Sequence, residues 1–299
     1  MSRSILTTSQ GTNRERFALS DWALFVSISV IWGASFLLIA IGLDAFHPGL
    51  ITWIRIGSGA VVLMFLPRAQ RVIDYDDRPR VTVLSFIWVA IPFTLFPIAQ
   101  QWIDSAVAGM LNGAMPIFAA VIASVMLRKL PAGAQLVGLL VGFIGVVAIS
   151  APSLGKGQTQ AIGVALVVLA TVFYGLSVNI AAPLQQQYGS LPVMRRMLTL
   201  ATIWSAPYGI YGLFRSSFAW DSLIATLAAG VLGTGLAFAI MGTLVGRVGP
   251  TRASFITYAI PVVALVLGIV FRAEQVAVIA VGGVVLVITG ALLASRREG

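Results

Sequence analysis

The sequence predicts an all-α membrane protein of ten transmembrane helices, arranged as two inverted five-helix repeats. Three observations predict it. First, the 299-residue chain is 59% hydrophobic and only 10% charged, against about 25% charged for a soluble domain. That much apolar surface cannot be hidden from water, and apolar runs of about 20 residues match the thickness of a bilayer. The runs do not alternate as barrel strands would. Second, residues 105–150 recur without gaps as 250–295, a shift of 145, with ten of 46 positions identical. Third, Lys and Arg fall almost wholly between alternate runs, which sets an orientation.

The repeat is most informative where Pro and Gly coincide, because both set backbone behaviour. Pro116 falls on Pro261, Gly138 on Gly283, Gly145 on Gly290 and Ser150 on Ser295; Ala108, Ala114, Ala119, Val121, Val125 and Ala132 complete the matches. A second echo pairs Trp32-Gly33-Ala34-Ser35 with Tyr174-Gly175-Leu176-Ser177. The chain therefore divides into a tail, 1–21, a first repeat, 22–150, and a second, 161–295, with a Gly-rich polar linker between them.

Ten spans follow in order. The first repeat places them at 22–41, 50–67, 82–101, 105–127 and 133–150. The second places them at 161–182, 193–213, 222–245, 251–271 and 276–294. The first 20 residues lack the apolar core of a cleavable signal peptide, so helix 1 directs insertion. With the N-terminus inside, 15 basic residues lie on the inner side and only Lys156, Arg215 and Arg272 on the outer. Both termini are then cytoplasmic, in a bacterial inner membrane. Five helices per repeat is an odd number, so the second copy enters upside down, as in many secondary transporters.

Composition also excludes chemistry. The chain has no Cys and one His, His47, so disulfides, thiolate catalysis and a histidine metal cluster are absent and no metal or cofactor is expected. The net charge of +9 sits between apolar runs and reads as topology and anionic lipid rather than nucleic acid. No Walker A, HExxH or GxSxG motif occurs, so no catalytic residue and no enzyme is expected.

Acids lie outside the expected spans: Asp44, Asp104, Asp221 and Glu274 at outer ends, the other six in the cytoplasm. Ion-driven pumps place an acid or His inside the membrane, so facilitated movement of a neutral or zwitterionic solute is expected, without ion coupling. A relay through Asp44, Asp104 or Glu274 is the alternative. Arg55 is the one charge inside a span; it either snorkels towards Asp44 or Asp104 or meets an anion. Pro92 and Pro97 kink helix 3, and Gly230, Gly233 and Gly235 answer in helix 8. Asn112 and Pro116 recur as Thr257 and Pro261, each polar group four residues before a proline. Such breaks free backbone groups to face solute, so Pro92, Pro97, Pro116 and Pro261 are expected to shape moving helices. Trp32, Ser35, Gln100, Asn112, Tyr174, Asn179, Thr257, Tyr258 and Arg55 are the candidate solute contacts. Aromatic walls with a few amides and hydroxyls suit an amino acid. The Gly-x3-Gly pairs at 109, 138 and 242 permit close helix approach within the chain; a monomer or weak homodimer is expected.

These features resemble the drug/metabolite transporter superfamily, EamA type. The residues that carry it are Trp32 to Ser35, Arg55, Ala108 to Pro116 with Gly138 and Gly145, then Tyr174 to Ser177 and Ala253 to Pro261 with Gly283 and Gly290. Glu274 matches an acid common after the ninth helix, whereas Arg128-Lys129 carries none after the fourth. The resemblance implies export of amino acids or other metabolites, closest to YddG-type exporters of aromatic and neutral amino acids. It implies a central cavity lined by helices 1, 3, 4, 6, 8 and 9. Export of another metabolite or a drug, and lipid handling, are the alternative functions.

Overall fold

The computed structural model describes residues 18–126, 128, 133–154, 157–248, 253 and 256–294. The tail 1–17, Lys129, Lys156, Arg252 and the matches at Ala132 and Ser295 lie outside the described residues. The first half contains α1 (Leu19–Leu43), α2 (Pro48–Met64), α3 (Arg78–Leu84), α4 (Ile91–Ala99), α5 (Ser105–Asn112), α6 (Met115–Met126) and α7 (Gly133–Leu154). The second contains α8 (Gln158–Tyr188), α9 (Ser190–Leu213), α10 (Trp220–Gly230), α11 (Ala237–Val248), α12 (Ile256–Arg272) and α13 (Val278–Ala294). A π-helical segment, Ser85–Ala90, joins α3 to α4, and another, Val231–Leu236, joins α10 to α11. Among the described residues, six helical stretches are long and apolar enough to cross a bilayer, and α2, α12 and most of α13 are shorter apolar helices.

The outward faces confirm the solvent. Val278, Val270, Phe271, Leu292, Val147 and Ile144 are all exposed, an arrangement that lipid tolerates and water does not. Inside, several hydroxyls are satisfied within their own helices: Ser29 donates to the Phe25 carbonyl, Ser150 to Val146 and Thr171 to Val167. Back-bonding of this kind lets Ser and Thr sit in an apolar core without an orphaned donor.

Helix contacts pair off under the repeat. The α1–α12 contact has its counterpart in α8–α6, and α1–α11 in α8–α4. The second π segment packs on α2, as the first packs on α9. Three contacts, α2–α9, α5–α12 and α7–α13, are their own counterparts. Glycines permit the closest of these. A Cβ on Gly49 would strike the Tyr208 carbonyl, and one on Gly283 would lie 2.8 Å from the Gly145 carbonyl oxygen.

Three expectations change. Helix 4 is not continuous: α5 ends at Asn112 and α6 begins at Met115. Pro116 has no N–H for the Asn112 carbonyl, and its ring crowds that oxygen. Helix 1 begins earlier than expected and draws Asp21 into its first turn, fully buried. The Asp21 carboxylate accepts from the Ala18 N–H at 3.0 Å and pairs with Arg247 at 2.7 Å, so it is not a solvated cytoplasmic acid. Charge at a helix N-terminus is favourable, and an ion pair makes burial tolerable. Glu274 is not a solvated helix end either. It accepts from the Ser105 N–H and hydroxyl and the Ala106 N–H, at 2.9, 2.6 and 2.8 Å.

His47 caps α2. Its Nδ1 accepts from the Gly49 N–H at 3.1 Å, and Ser216 Oγ accepts from the His47 N–H at 2.8 Å. Burial, then the nearby Arg215 charge, hold the imidazole pKa below its ordinary value of 6.5. The cap needs neutral His47. Its stabilisation is therefore full above pH 6.5 and lost as pH falls through the lowered folded value. Acidification should reduce the thermal midpoint by no more than a cap's typical worth of about 1 kcal/mol. His47→Asn, which caps without titrating, should flatten that part of the pH profile in detergent; an unchanged profile would assign it to another group.

Candidate functional site

The site begins with a broken hydrogen bond. Pro97 leaves the Phe93 carbonyl without its in-helix donor. Thr52 Oγ1 on α2 lies 3.0 Å from that oxygen and shares its one proton between it and the Pro48 carbonyl at 2.9 Å. This bond ties α2 to the kink. It also brings Arg55, one turn along α2, over the Phe93 ring with Cζ 4.3 Å from the centroid. Arg55 is only 7% exposed, and its Nε is buried without a hydrogen-bond partner. Among the described residues it has no carboxylate partner, because Asp44, one of its expected partners, binds Arg272 instead.

Further aromatic rings lie in the helices around this contact. Phe96, one turn beyond Phe93, stacks on Tyr174 at 5.9 Å and meets Phe36 edge-on at 5.4 Å. Tyr174 is within electrostatic reach of Arg55. One turn before Phe36, Trp32 donates its indole N–H to the Gly233 carbonyl at 2.9 Å and meets Phe238 edge-on. Gly233 lies inside the second π segment, so the indole serves a helix whose own ladder is irregular. Thr234 helps there too, donating to the Ala229 carbonyl at 3.3 Å.

Amides flank the lining. Gln100, one turn past Phe96, is buried with neither Nε2 nor Oε1 partnered, and the Asn112 Oδ1 is likewise buried and unpartnered. Asn112 follows Gly109 by one turn, and a Cβ on Gly109 would contact the Phe36 ring. Orphaned polar atoms inside a native core call for a ligand or water.

The other expected contacts have different partners. Asn179 donates its amide to the Ala119 and Gly175 carbonyls at 3.0 and 2.8 Å, a packing role. Ser35 back-bonds to the Ile31 carbonyl at 3.1 Å and faces Gly233. Thr257 and Tyr258 lie half-buried on α12, where Pro261 packs on Gly113 of the broken helix. Pro92 follows the first π segment directly. Phe36, Phe93, Phe96, Phe238 and Thr52 were not singled out from sequence. Only Phe93 carried a signal, as the residue four before Pro97.

Pairs of side chains close both ends of the bundle around this centre. At one end Arg272 makes a two-bond pair with Asp44 at 2.7 and 2.9 Å, and Glu274 caps α5. At the other, Asp21 pairs with Arg247, which also bonds Ser20 at 2.6 Å. Among the described residues no group of His, Cys, Asp and Glu could hold a metal ion.

The chain resembles known proteins along most of its length. The model of the EamA-like transporter family matches residues 21–151 and again 161–296. An uncharacterized transporter of Archaeoglobus fulgidus is 24% identical over 94% of this chain and 100% of its own. A probable terminal-alkyne amino-acid exporter of Streptantibioticus cattleyicolor is 26% identical, covering 92% of this chain and 93% of its own. A probable amino-acid metabolite efflux pump of Salmonella typhimurium is 24% identical over 90% and 93%. One solved crystal structure shares the fold with a TM-score of 0.62 at 18% identity, covering 92% of this chain and 96% of the other. Two matches to one family model, together spanning most of a multi-pass membrane chain, establish that the protein belongs to the EamA-like transporter family.

Proposed function

We propose that the protein exports amino acids from the bacterial cytoplasm by alternating access, with Arg55 receiving the solute carboxylate. In this reading the ten helices form two inverted repeats, 22–150 and 161–295, with both termini cytoplasmic. The observation that carries it is a buried guanidinium on an aromatic ring with no carboxylate partner among the described residues. A charge in the membrane interior is costly and marks a solute pathway, and Arg is suited to planar carboxylates. Relatives named as amino-acid exporters support the substrate class. Trp32, Tyr174, Gln100 and Asn112 complete the contact set. Ser35, Asn179, Thr257 and Tyr258 are assigned to holding the helices that carry it, and Pro92, Pro97, Pro116 and Pro261 to the bends on which those helices move.

Opening one end requires only the rupture of its polar ties: Asp44–Arg272 and the Glu274 cap, or Asp21–Arg247. None of these acids lies beside Arg55, which favours movement without an obligatory ion. Uptake of labelled neutral amino acids into proteoliposomes, with and without an imposed pH gradient, tests the reading. Saturable uptake that ignores the gradient is expected. Gradient-driven accumulation would replace the uncoupled mechanism with proton coupling through an end acid such as Glu274, and no uptake by folded protein would overturn amino-acid export.

A further inference from the structure

We propose that the Arg55 site selects a carboxylate attached to a planar apolar body, and that the α-amino group of an amino acid is not needed for recognition. The inference rests on the exporter reading above and narrows its substrate class.

For a carboxylate the site offers a complete and otherwise unused partner. Arg55 is 7% exposed, its Nε has no partner, and Phe93 covers one face of the guanidinium at 4.3 Å. A desolvated guanidinium binds a carboxylate through two parallel bonds far more strongly than water would allow. For a flat apolar group, rings lie beside the charge: Phe93 under the guanidinium and Tyr174 within its electrostatic reach. Phe36, Phe96 and Tyr174 form one connected set, and Trp32 with Phe238 another. Because its indole N–H is engaged by Gly233, Trp32 has only ring surface left to give.

For an ammonium the site offers little. Three of the acids at the two ends are occupied: Asp44 by Arg272, Asp21 by Arg247, and Glu274 by the start of α5. Asn179 spends its two N–H donors on backbone carbonyls and keeps only a neutral oxygen. The neutral oxygens of Gln100 and Asn112 remain, and these can accept a hydrogen bond without supplying a countercharge. A nearby guanidinium further disfavours a second cation. Affinity therefore comes from the acid and the ring, and the amine adds a minor contribution.

Three molecules with one phenyl body separate these contributions: phenylalanine, phenylpropionate, which lacks the amine, and phenethylamine, which lacks the acid. Each is used as an unlabelled competitor of labelled phenylalanine in proteoliposomes, and each is added to the detergent-solubilised protein during thermal unfolding. Phenylpropionate should compete within about tenfold of phenylalanine, the worth of a lost neutral hydrogen bond. Phenethylamine should be at least about 30-fold weaker, as expected when a buried charge loses its partner. The thermal shift given by phenylpropionate should vanish in Arg55→Gln. Phenethylamine matching phenylpropionate, or phenylpropionate failing to compete and to stabilise, would overturn the inference. If phenylalanine is not transported but phenylpropionate stabilises the wild type and not Arg55→Gln, amino-acid export fails while the carboxylate site stands.

Discussion

Arg55→Gln is expected to abolish transport while leaving the protein at least as stable as the wild type. The two effects have one physical origin and opposite signs. A guanidinium at the centre of a membrane helix costs about 2.5–3.5 kcal/mol on insertion scales. Phe93 beneath it returns part of that, about 2 kcal/mol for a desolvated cation–π contact. No carboxylate of the described residues returns the rest. A neutral amide removes the penalty and the solute's partner together. Apparent affinity should fall by at least about 30-fold, the lower end of what truncating a buried charge pair costs. Arg55→Lys should fall between, since the charge stays but the planar fork and ring stacking are lost. Uptake in proteoliposomes and the thermal midpoint of the same preparation check both signs. A destabilised Arg55→Gln with normal transport would make Arg55 a packing residue.

Adjacent glycines on α13 should give opposite results when enlarged. At Gly283 a Cβ would lie 2.8 Å from the Gly145 carbonyl oxygen and 2.9 Å from the Ile149 nitrogen, whereas at Gly282 it would meet nothing within 4 Å. The obstacle at Gly283 is backbone on α7, which has no rotamer to change. Gly283→Leu must therefore push the two helices apart, at a cost of about 3 kcal/mol or more. Gly282→Leu puts a side chain into lipid and improves helix propensity, so it should be neutral within about 0.5 kcal/mol or mildly stabilising. Thermal unfolding in detergent, with yield of monodisperse protein as a second measure, distinguishes them. Equal behaviour of the two variants would mean that α7 and α13 are not packed as described.

What could be read from residues alone was whatever Pro, Gly and charge report. Pro116 broke its helix four residues back, at Asn112, because the rule behind that reading is local. Arg55 stood out as the single charge in an apolar run, yet its partner could not be read. The apparent choice lay between acids at helix ends, while the actual neighbour, Phe93, comes from another helix through a bond between Thr52 and a carbonyl freed by Pro97. The lining phenylalanines were illegible for a different reason. In lipid the outside of a helix is as apolar as the inside, so Phe96 and exposed Phe271 look alike in sequence. Asn179 shows the converse difficulty: the sequence shows a polar residue but not that its N–H donors bond two backbone carbonyls. Asp21 and Glu274 were misjudged because the polar groups they bond are set by folding, not by neighbours in the chain.

The unequal helix lengths have a consequence for the surrounding lipid. The helix α2 has 17 residues, about 26 Å at 1.5 Å per residue, which is shorter than a hydrocarbon core of about 30 Å. The 31-residue α8 is about 46 Å long and emerges from the slab, where Tyr188 is anchored 2.8 Å from both Asp74 and Asp77. The short α2 has no such reserve, and a thick bilayer must thin beside it or drag its polar ends inward. Acyl chain length therefore acts first on α2, the helix that carries Arg55, so membrane thickness becomes a variable that sets how the solute-binding cation is held.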